Sequence, residues 1–368
     1  MTGNYGNKKI RVLLVDDSPT ALEVLKRMLC SSPDITVIGT AANGRAAMRM
    51  IMELNPDLIC TDLHMPLMDG LALTKEVMKT SPKPVLVVSV SVYEGSGNVF
   101  DLIEAGALDV YCKPRGALDS DFEKHASELI RKIRILSGVR VIKKMRTEPF
   151  AISQPALPGS LVNTAMLPPV RIAVIGASTG GPQALEHILP QLPGDFPIPV
   201  VCVQHITEGF MEGMMEWLAT KCHMAVRFAL NGEYPAPGTI YFAQEKKHLE
   251  FSPEGRFVVG IGPACEGHCP SITVTMRSAA ACFNRFVIGV LLTGMGKDGA
   301  EGLLAIRQAG GITIAQDEGS CIVFGMPRQA IEIGGTVHIL PLNEIAQAII
   351  NNGGRQNEIP DKRCGNEL

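Results

Sequence analysis

The chain has 368 residues and a mass of 39.5 kDa, and its 34 Lys+Arg against 37 Asp+Glu give a net charge of −3. Hydrophobic residues make up 46% and charged residues 19%, a composition that excludes a wholly disordered chain. The near-neutral net charge excludes a strongly basic protein that wraps nucleic acid. At roughly 150 residues per domain, the length predicts two folded domains.

In the first predicted domain, short apolar runs alternate with helical patterns, which is typical of a parallel sheet wrapped by helices. Ser18-Pro19 predicts the start of the first helix, with a serine cap and proline at the first helical position. The predicted strands are Ile10–Val15, Thr36–Thr40, Leu58–Thr61, Val85–Ser89 and Asp109–Tyr111.

Polar side chains stand at the carboxyl ends of these strands, where ligands bind in open α/β sheets. Asp16, Asp17 and Asp62 would repel one another unless a cation joins them, and oxygen ligands of this kind suit Mg²⁺. A phosphoryl group on one carboxylate would be stabilised by the Lys113 ammonium and the Ser89 hydroxyl.

This arrangement resembles the receiver domain of two-component response regulators. The resemblance implies that Asp62 accepts phosphate from a histidine kinase, that Asp16 and Asp17 join it in holding Mg²⁺, and that Ser89 and Lys113 bind the phosphoryl oxygens. The aromatic residue that receivers usually place three residues before the lysine is Val110 here. The motifs are Val15-Asp16-Asp17-Ser18, Asp62-x-x-Met65-Pro66-x-Met68-Asp69-Gly70, Ser89 and Lys113-Pro114.

Two unusual segments follow the first domain. Residues 131–146 carry seven basic residues and no acidic one, which indicates a solvated helix, an acidic docking partner or a contact between domains. Residues 150–170 are uncharged but contain four prolines, so they predict a linker and no membrane insertion.

The second domain repeats the strand–helix alternation and predicts a second doubly wound sheet. Three further runs, Thr239–Phe242, His248–Phe251 and Phe257–Val259, predict a short antiparallel insertion. The main predicted strands are Val170–Ala177, Ile198–Gln204, Ala225–Ala229, Phe286–Thr293, Ile312–Ala315 and Thr336–Ile339.

Three strand ends of this sheet carry Ser178, His205 and Asp298. Ser178 lies in a Gly-rich turn before a helix, which suits either a nucleophile or an anion-binding turn. His205 and Asp298, taken singly, are as well explained by a structural histidine and a helix cap. Together the three form a credible hydrolase triad, in a chain order that differs from that of α/β-hydrolases.

These residues resemble the chemotaxis-type protein-glutamate methylesterases, and the resemblance covers nearly the whole chain. It implies Ser178 as nucleophile, His205 as general base and Asp298 as the residue that orients it, with Thr179 lining the site and the Met295 N–H stabilising the oxyanion. The main motifs are Gly176-Ala177-Ser178-Thr179-Gly180-Gly181, Gln204-His205, Thr293-Gly294-Met295-Gly296-Lys297-Asp298-Gly299-Ala300, Ala315-Gln316-Asp317 and Ser320-Cys321-Ile322-Val323-Phe324-Gly325-Met326-Pro327-Arg328.

The fold expected from the two resemblances is α/β, with two doubly wound parallel-sheet domains joined by a linker. Residues 1–130 form a flavodoxin-like receiver, 131–168 a basic helix and Pro-rich linker, 169–352 a Rossmann-like methylesterase domain, and 353–368 a polar tail.

The expected function is a phosphorylation-activated serine carboxylesterase that releases methanol from glutamate methyl esters of chemoreceptors and also deamidates receptor glutamines. Its partners would be methyl-accepting chemoreceptors as substrate and a chemotaxis histidine kinase as phosphodonor, with no nucleic acid. The receiver would need Mg²⁺, and the esterase reaction would need no cofactor. The alternatives are a response regulator with a non-enzymatic binding output and, less well matched, a nucleotide-dependent oxidoreductase.

The cysteines and the start of the chain bear on location. Ten cysteines in a long chain with no apolar signal segment at its start predict reduced thiols in the cytoplasm. Cys265-x-x-His268-Cys269 contains zinc-ligand types, but no second pair follows at zinc-finger spacing.

Overall fold

A computed structural model describes residues 9–89, 97–113, 122–139, 141 and 171–354. The predicted Pro-rich linker, the end of the basic stretch beyond residue 141 and the polar tail from residue 355 lie outside the described residues. Within the described part of the chain, no helix combines the length and the apolar character that crossing a membrane requires.

The first domain is a five-stranded sheet in the order β2-β1-β3-β4-β5, and every neighbouring pair is parallel. Each strand lies within one residue of its predicted bounds. The strands are Ile10–Val15 (β1), Ile35–Ala41 (β2), Leu58–Thr61 (β3), Val85–Ser89 (β4) and Asp109–Cys112 (β5), and the helices are Pro19–Cys30 (α1), Gly44–Leu54 (α2), Gly70–Thr80 (α3), Gly97–Glu104 (α4) and Phe122–Leu136 (α5).

Local sequence explains where these helices begin. Ser18 caps α1 by accepting a hydrogen bond from the Ala21 N–H at 3.3 Å, and Pro19 occupies the first helical position. Asn43 and Asp69 cap α2 and α3 in the same way. The connections after β1 and β3 lead into these capped helices and leave Asp16 and Asp62 at the carboxyl edge of the sheet.

Helix α5 extends through Leu136 and so crosses the expected boundary at residue 130. Its apolar face is buried against α1 and β4. The basic residues described here are not all solvated, because Lys132 is buried and its Nζ lies 2.6 Å from Asp109 Oδ2. The beginning of the basic stretch is thus part of the first domain.

The second domain is a seven-stranded parallel sheet in the order β14-β13-β12-β6-β7-β9-β8. The strands are Ile172–Ala177 (β6), Val200–Gln204 (β7), Ala225–Phe228 (β8), Thr239–Phe242 (β9), His248–Phe251 (β10), Phe257–Gly260 (β11), Val287–Leu291 (β12), Ile312–Gln316 (β13) and His338–Leu340 (β14). The helices are Gly181–Ile188 (α6), Met211–Ala219 (α7), Ile272–Phe283 (α8), Ala300–Gln308 (α9), Met326–Glu332 (α10) and Leu342–Gly353 (α11).

The predicted three-strand antiparallel insertion is wrong in one respect. Only β10 and β11 pair antiparallel, whereas Thr239–Phe242 enters the main sheet between β7 and β8 as a parallel strand. All four of its residues are buried, as expected of a strand covered on both faces. Its short apolar sequence alone does not distinguish the two placements.

The two domains are in direct contact. The rings of Phe100 on α4 and Trp217 on α7 stack with centroids 5.4 Å apart. Thr207 Oγ1 donates to the Val110 carbonyl at 3.1 Å, and Lys221 Nζ lies 2.6 Å from Glu104 Oε2. Helix α4 therefore packs against α7, and β5 contacts the loop that follows the carboxyl end of β7.

Candidate functional site

The first domain places its five predicted site residues at the carboxyl ends of β1, β3, β4 and β5, and four of them, Asp16, Asp17, Asp62 and Lys113, form one cluster. Asp16, Asp62, Ser89 and Lys113 are buried, and Asp17 is exposed. Lys113 Nζ lies 2.6 Å from Asp16 Oδ2 and 2.9 Å from Asp62 Oδ1. Burial raises the pKa of Asp62, an effect that the Lys113 ammonium opposes.

The acidic part of this cluster fits a hard divalent cation. Carboxylate oxygens of Asp16, Asp17 and Asp62 all lie within 4.8 Å of one another, and this is the only such group of potential metal ligands among the described residues. Three carboxylates around one point match the oxygen-rich coordination of Mg²⁺. Cys265, His268 and Cys269 form no comparable group, and the nine cysteines within the described ranges are all free thiols.

In the second domain, Ser178, His205 and Asp298 follow the neighbouring strands β6, β7 and β12. The order of the sheet reverses at β6, which has β7 on one side and β12 on the other. Such a reversal opens a crevice at the carboxyl ends of the strands. Ser178 and His205 line a cavity of about 120 Å³ at this crevice, together with Thr179 and Met295.

The histidine and the aspartate approach each other closely. His205 Nε2 lies 3.0 Å from Asp298 Oδ2, although the ring N–H is not aimed well enough for a regular hydrogen bond. Nδ1 of the same ring is buried and has no hydrogen-bond partner. Because Nε2 faces the carboxylate, Nδ1 is the ring nitrogen that can act as a proton acceptor.

A dense set of donors fixes the Asp298 carboxylate. Burial alone would raise its pKa, but the nearby His205 and several hydrogen bonds outweigh burial and hold the pKa of Asp298 below its ordinary range. Its oxygens accept from Ser271 Oγ and from the N–H groups of Ile272, Thr273 and Gly299 at 2.8–3.0 Å. The group therefore stays ionised and anchors the start of α8 while it faces the histidine.

Glycines determine the shape of the turn after Ser178. Gly180 has φ +78°, in the left-handed region where a side chain is strained. A Cβ on Gly181 would lie 2.0 Å from Gln204 Oε1, so the helix can approach β7 only without one. Gln204 Nε2 in turn donates to the carbonyls of Ser178 at 2.9 Å and His205 at 2.7 Å. One buried side chain thus links the two strand ends.

Donors for a developing oxyanion adjoin Ser178. No hydrogen bond occupies the Met295 N–H within the described parts of the chain, and Met295 lines the same cavity. Helix α6 begins three residues after Ser178, and its N-terminus adds a positive partial charge. These groups can stabilise negative charge on a substrate oxygen.

Sequence reasoning missed a second histidine in the site. The rings of His205 and His268 are parallel within 6°, with centroids 3.8 Å apart. Burial, reinforced by His205, lowers the pKa of His268 to about 4, so His268 is neutral near pH 7. Its position in Cys265-x-x-His268-Cys269 indicates a zinc-ligand type, whereas nothing in that local pattern indicates a stack on His205.

The first domain forms one wall of the cavity that contains Ser178. Four residues of α5 line this cavity of about 120 Å³ opposite Ser178: Glu128, Arg131, Lys132 and Ile135. Asp109 accepts a bond from Thr179 Oγ1 at 3.4 Å and pairs with Lys132. In this arrangement the first domain covers the serine.

Comparisons with known proteins match both domains. The CheB methylesterase family matches residues 173–349, and the response regulator receiver domain family matches residues 12–119. Thus the second domain matches an enzyme family rather than a binding output, and the two parallel-sheet domains expected from the sequence are confirmed.

Two curated relatives extend over nearly the whole chain. A protein-glutamate methylesterase/protein-glutamine glutaminase of Nitrosospira multiformis is 40% identical over 93% of this chain and 96% of its own length. A relative of the same description from Methanospirillum hungatei is 42% identical over 92% of this chain and 97% of its own length. Among solved structures, the CheB methylesterase catalytic domain of Thermotoga maritima is 37% identical, covers 50% of this chain and 98% of its own, and has a TM-score of 0.48.

Proposed function

This chain belongs to the CheB methylesterase family, and from that premise we propose that it is a phosphorylation-activated protein-glutamate methylesterase. It hydrolyses glutamate methyl esters on chemoreceptors to glutamate and methanol, and it deamidates receptor glutamines by the same chemistry. A chemotaxis histidine kinase supplies the phosphoryl group, and the protein acts in the cytoplasm. The observation that carries the proposal is the approach of His205 Nε2 to Asp298 beside a cavity that contains Ser178.

Acylation begins when Ser178 Oγ attacks the ester carbonyl and His205 Nδ1 takes the serine proton. Asp298 holds the proton on Nε2 and stabilises the imidazolium that forms. The negative charge on the carbonyl oxygen is stabilised by the Met295 N–H and the start of α6. The proton on Nδ1 then passes to the leaving oxygen, which departs as methanol and leaves a glutamyl ester on Ser178.

Deacylation repeats these steps with water as the nucleophile. His205 Nδ1 takes a proton from water as the water oxygen attacks the acyl carbon, and it returns that proton to Ser178 Oγ when the bond between the acyl carbon and Oγ breaks. A glutamine substrate differs only in that ammonia leaves in the first half-reaction. Both substrates yield a glutamate side chain.

The receiver site supplies the control. Asp62 accepts the phosphoryl group, Lys113 and Ser89 contact its oxygens, and Asp16, Asp17 and Asp62 are the residues that would hold Mg²⁺. Mg²⁺ held by these carboxylates would neutralise charge on the phosphoryl oxygens. Because α5 covers Ser178, phosphorylation activates the enzyme by displacing the receiver from that position.

Methanol release from membranes carrying methylated chemoreceptors tests the reaction. Ser178→Ala and His205→Ala should each lower the rate by at least about 10³-fold. His187→Ala alters an exposed histidine on α6 and should leave the rate unchanged. Undiminished release by Ser178→Ala would rule out the serine mechanism.

A second comparison tests the control by the receiver. Asp62→Ala should retain basal methanol release but lose its stimulation by a small-molecule phosphodonor with Mg²⁺. Equal stimulation of the wild-type and variant proteins would reject control through Asp62.

A further inference from the structure

Three cavities adjoin along the carboxyl edge of the catalytic sheet and form one trench. The inner cavity contains Ser178 and shares His205, Ile206 and His268 with a middle cavity of about 180 Å³. The middle cavity shares Met211 and Glu245 with an outer cavity of about 330 Å³. The trench thus leads from the nucleophile outward past β7 toward β8.

The middle and outer cavities are lined by apolar and acidic residues. The apolar side chains are Ile206, Met211, Pro270, Phe228 and Leu230. Leu230, at the outer end, is 53% exposed, so much of its apolar side chain is accessible to a partner. The charged residues are three carboxylates and one ammonium, those of Glu208, Glu212, Glu245 and Lys246.

Hydrogen bonds hold the wall of the trench in place without a bound partner. The Glu245 carboxylate accepts from the Gly209 N–H at 3.0 Å and from the Met211 N–H at 3.2 Å. An ion pair between Glu208 and Lys246 connects the same two segments. A preformed wall of this kind is typical of a binding site, since little ordering accompanies binding.

The receiver covers the inner cavity alone. Four residues of α5 line that cavity, whereas the described residues that line the other two cavities all belong to the catalytic domain. A partner can therefore contact the middle and outer cavities while Ser178 is still covered.

We propose that the middle and outer cavities bind the segment of the substrate helix that adjoins the esterified glutamate; this inference rests on the proposed function. An α-helix advances about 5.4 Å per turn, so side chains one and two turns from the ester can follow the trench from the inner cavity. The occupant is an amphipathic receptor helix with apolar residues toward Met211 and Leu230. Lys or Arg residues beside that apolar stripe complement the carboxylates.

This placement separates binding from hydrolysis. Receptor binding uses a surface that the unphosphorylated receiver leaves open, whereas access of the ester to Ser178 requires the receiver to move. Phosphorylation should therefore change kcat much more than it changes affinity for the receptor.

The decisive variant is Leu230→Glu, which removes an apolar contact and adds negative charge to an acidic surface. We expect kcat/KM for methylated receptor membranes to fall about tenfold, mainly through KM. Hydrolysis of a small ester, N-acetylglutamate γ-methyl ester, should change less than about twofold, because this substrate is too short to reach the outer cavity. Val337→Glu is the matched control, since Val337 is also 53% exposed but adjoins the edge strand β14; it should leave both rates unchanged.

A sedimentation assay with the same membranes tests the second half of the inference. Unphosphorylated Asp62→Ala protein should bind them as well as the wild-type protein does, and adding Leu230→Glu should weaken binding about tenfold. The proposed docking surface would be overturned if Leu230→Glu lowered kcat/KM equally for receptor membranes and for the small ester, or lowered it for neither. It would also be overturned if the protein bound the membranes only after phosphorylation. A wild-type protein that cleaves neither ester would refute the proposed function itself.

Discussion

Replacement of Asp298 by asparagine separates a catalytic role from a merely structural one. Oδ1 of the aspartate accepts three hydrogen bonds, from Ser271 Oγ, the Thr273 N–H and the Gly299 N–H. The amide oxygen of asparagine must therefore stay on that side, and its NH₂ group replaces Oδ2. That NH₂ group then faces the Ile272 N–H and His205 Nε2, which Oδ2 contacts at 2.8 and 3.0 Å.

The expected loss of activity follows from this reversal of polarity. His205 Nε2 must now accept a hydrogen bond, so the ring proton moves to Nδ1, the atom required as base for Ser178. A triad held in the wrong tautomer loses about 10⁴ in kcat, or about 5 kcal/mol of transition-state stabilisation. The Ile272 N–H also loses its acceptor, which costs about 1–3 kcal/mol of folding stability.

The assay combines methanol release with urea unfolding of the same preparations. Ser271→Ala is the matched control, because it removes one hydrogen bond to Asp298 and the cap of α8 but keeps the carboxylate. We expect this control to lose about 1 kcal/mol of stability and less than about tenfold in rate. An Asp298→Asn protein that keeps more than a tenth of the wild-type kcat would refute the reasoning and leave Asp298 as an anchor for α8.

Two further predictions concern the domain contact and the second histidine. The only tryptophan, Trp217, stacks on Phe100 across the contact between the domains. If Mg²⁺ and beryllofluoride at Asp62 separate the domains, water reaches this side chain and its fluorescence emission should shift to longer wavelength. An unchanged emission spectrum together with faster ester hydrolysis would show that this contact persists in the activated protein. Burial and His205 hold the pKa of His268 at about 4, below its value of about 6.5 in the unfolded chain. Between pH 6.5 and pH 4 the unfolded state therefore binds more protons than the folded state, so the free energy of unfolding falls as the pH drops through this range. After allowance for solvent screening this loss should be about 1–2 kcal/mol, and urea unfolding of His268→Gln should show a correspondingly smaller pH dependence; equal slopes would contradict the assignment.

Hydrophobic periodicity and strand-end chemistry were enough to predict much of this protein. The first-domain strands lie within one residue of prediction because buried parallel strands are continuous apolar runs bounded by polar residues. The same rule explains why Asp16, Asp62, Ser178 and His205 could be selected: a polar residue directly after such a run stands at the edge where ligands bind. Their catalytic and binding roles remain proposals.

Only the tertiary structure determined how these residues meet. The placement of Thr239–Phe242 as a parallel strand depends on packing against β7 and β8, since a short, mainly apolar run fits either kind of pairing. His268 stacks on His205, and His205 turns Nε2 rather than Nδ1 toward Asp298. Both contacts join residues that are more than 25 positions apart in the chain. The cover over Ser178 comes from α5 of the other domain. Sequence patterns report local burial, whereas these contacts arise from the packing of two complete domains against each other.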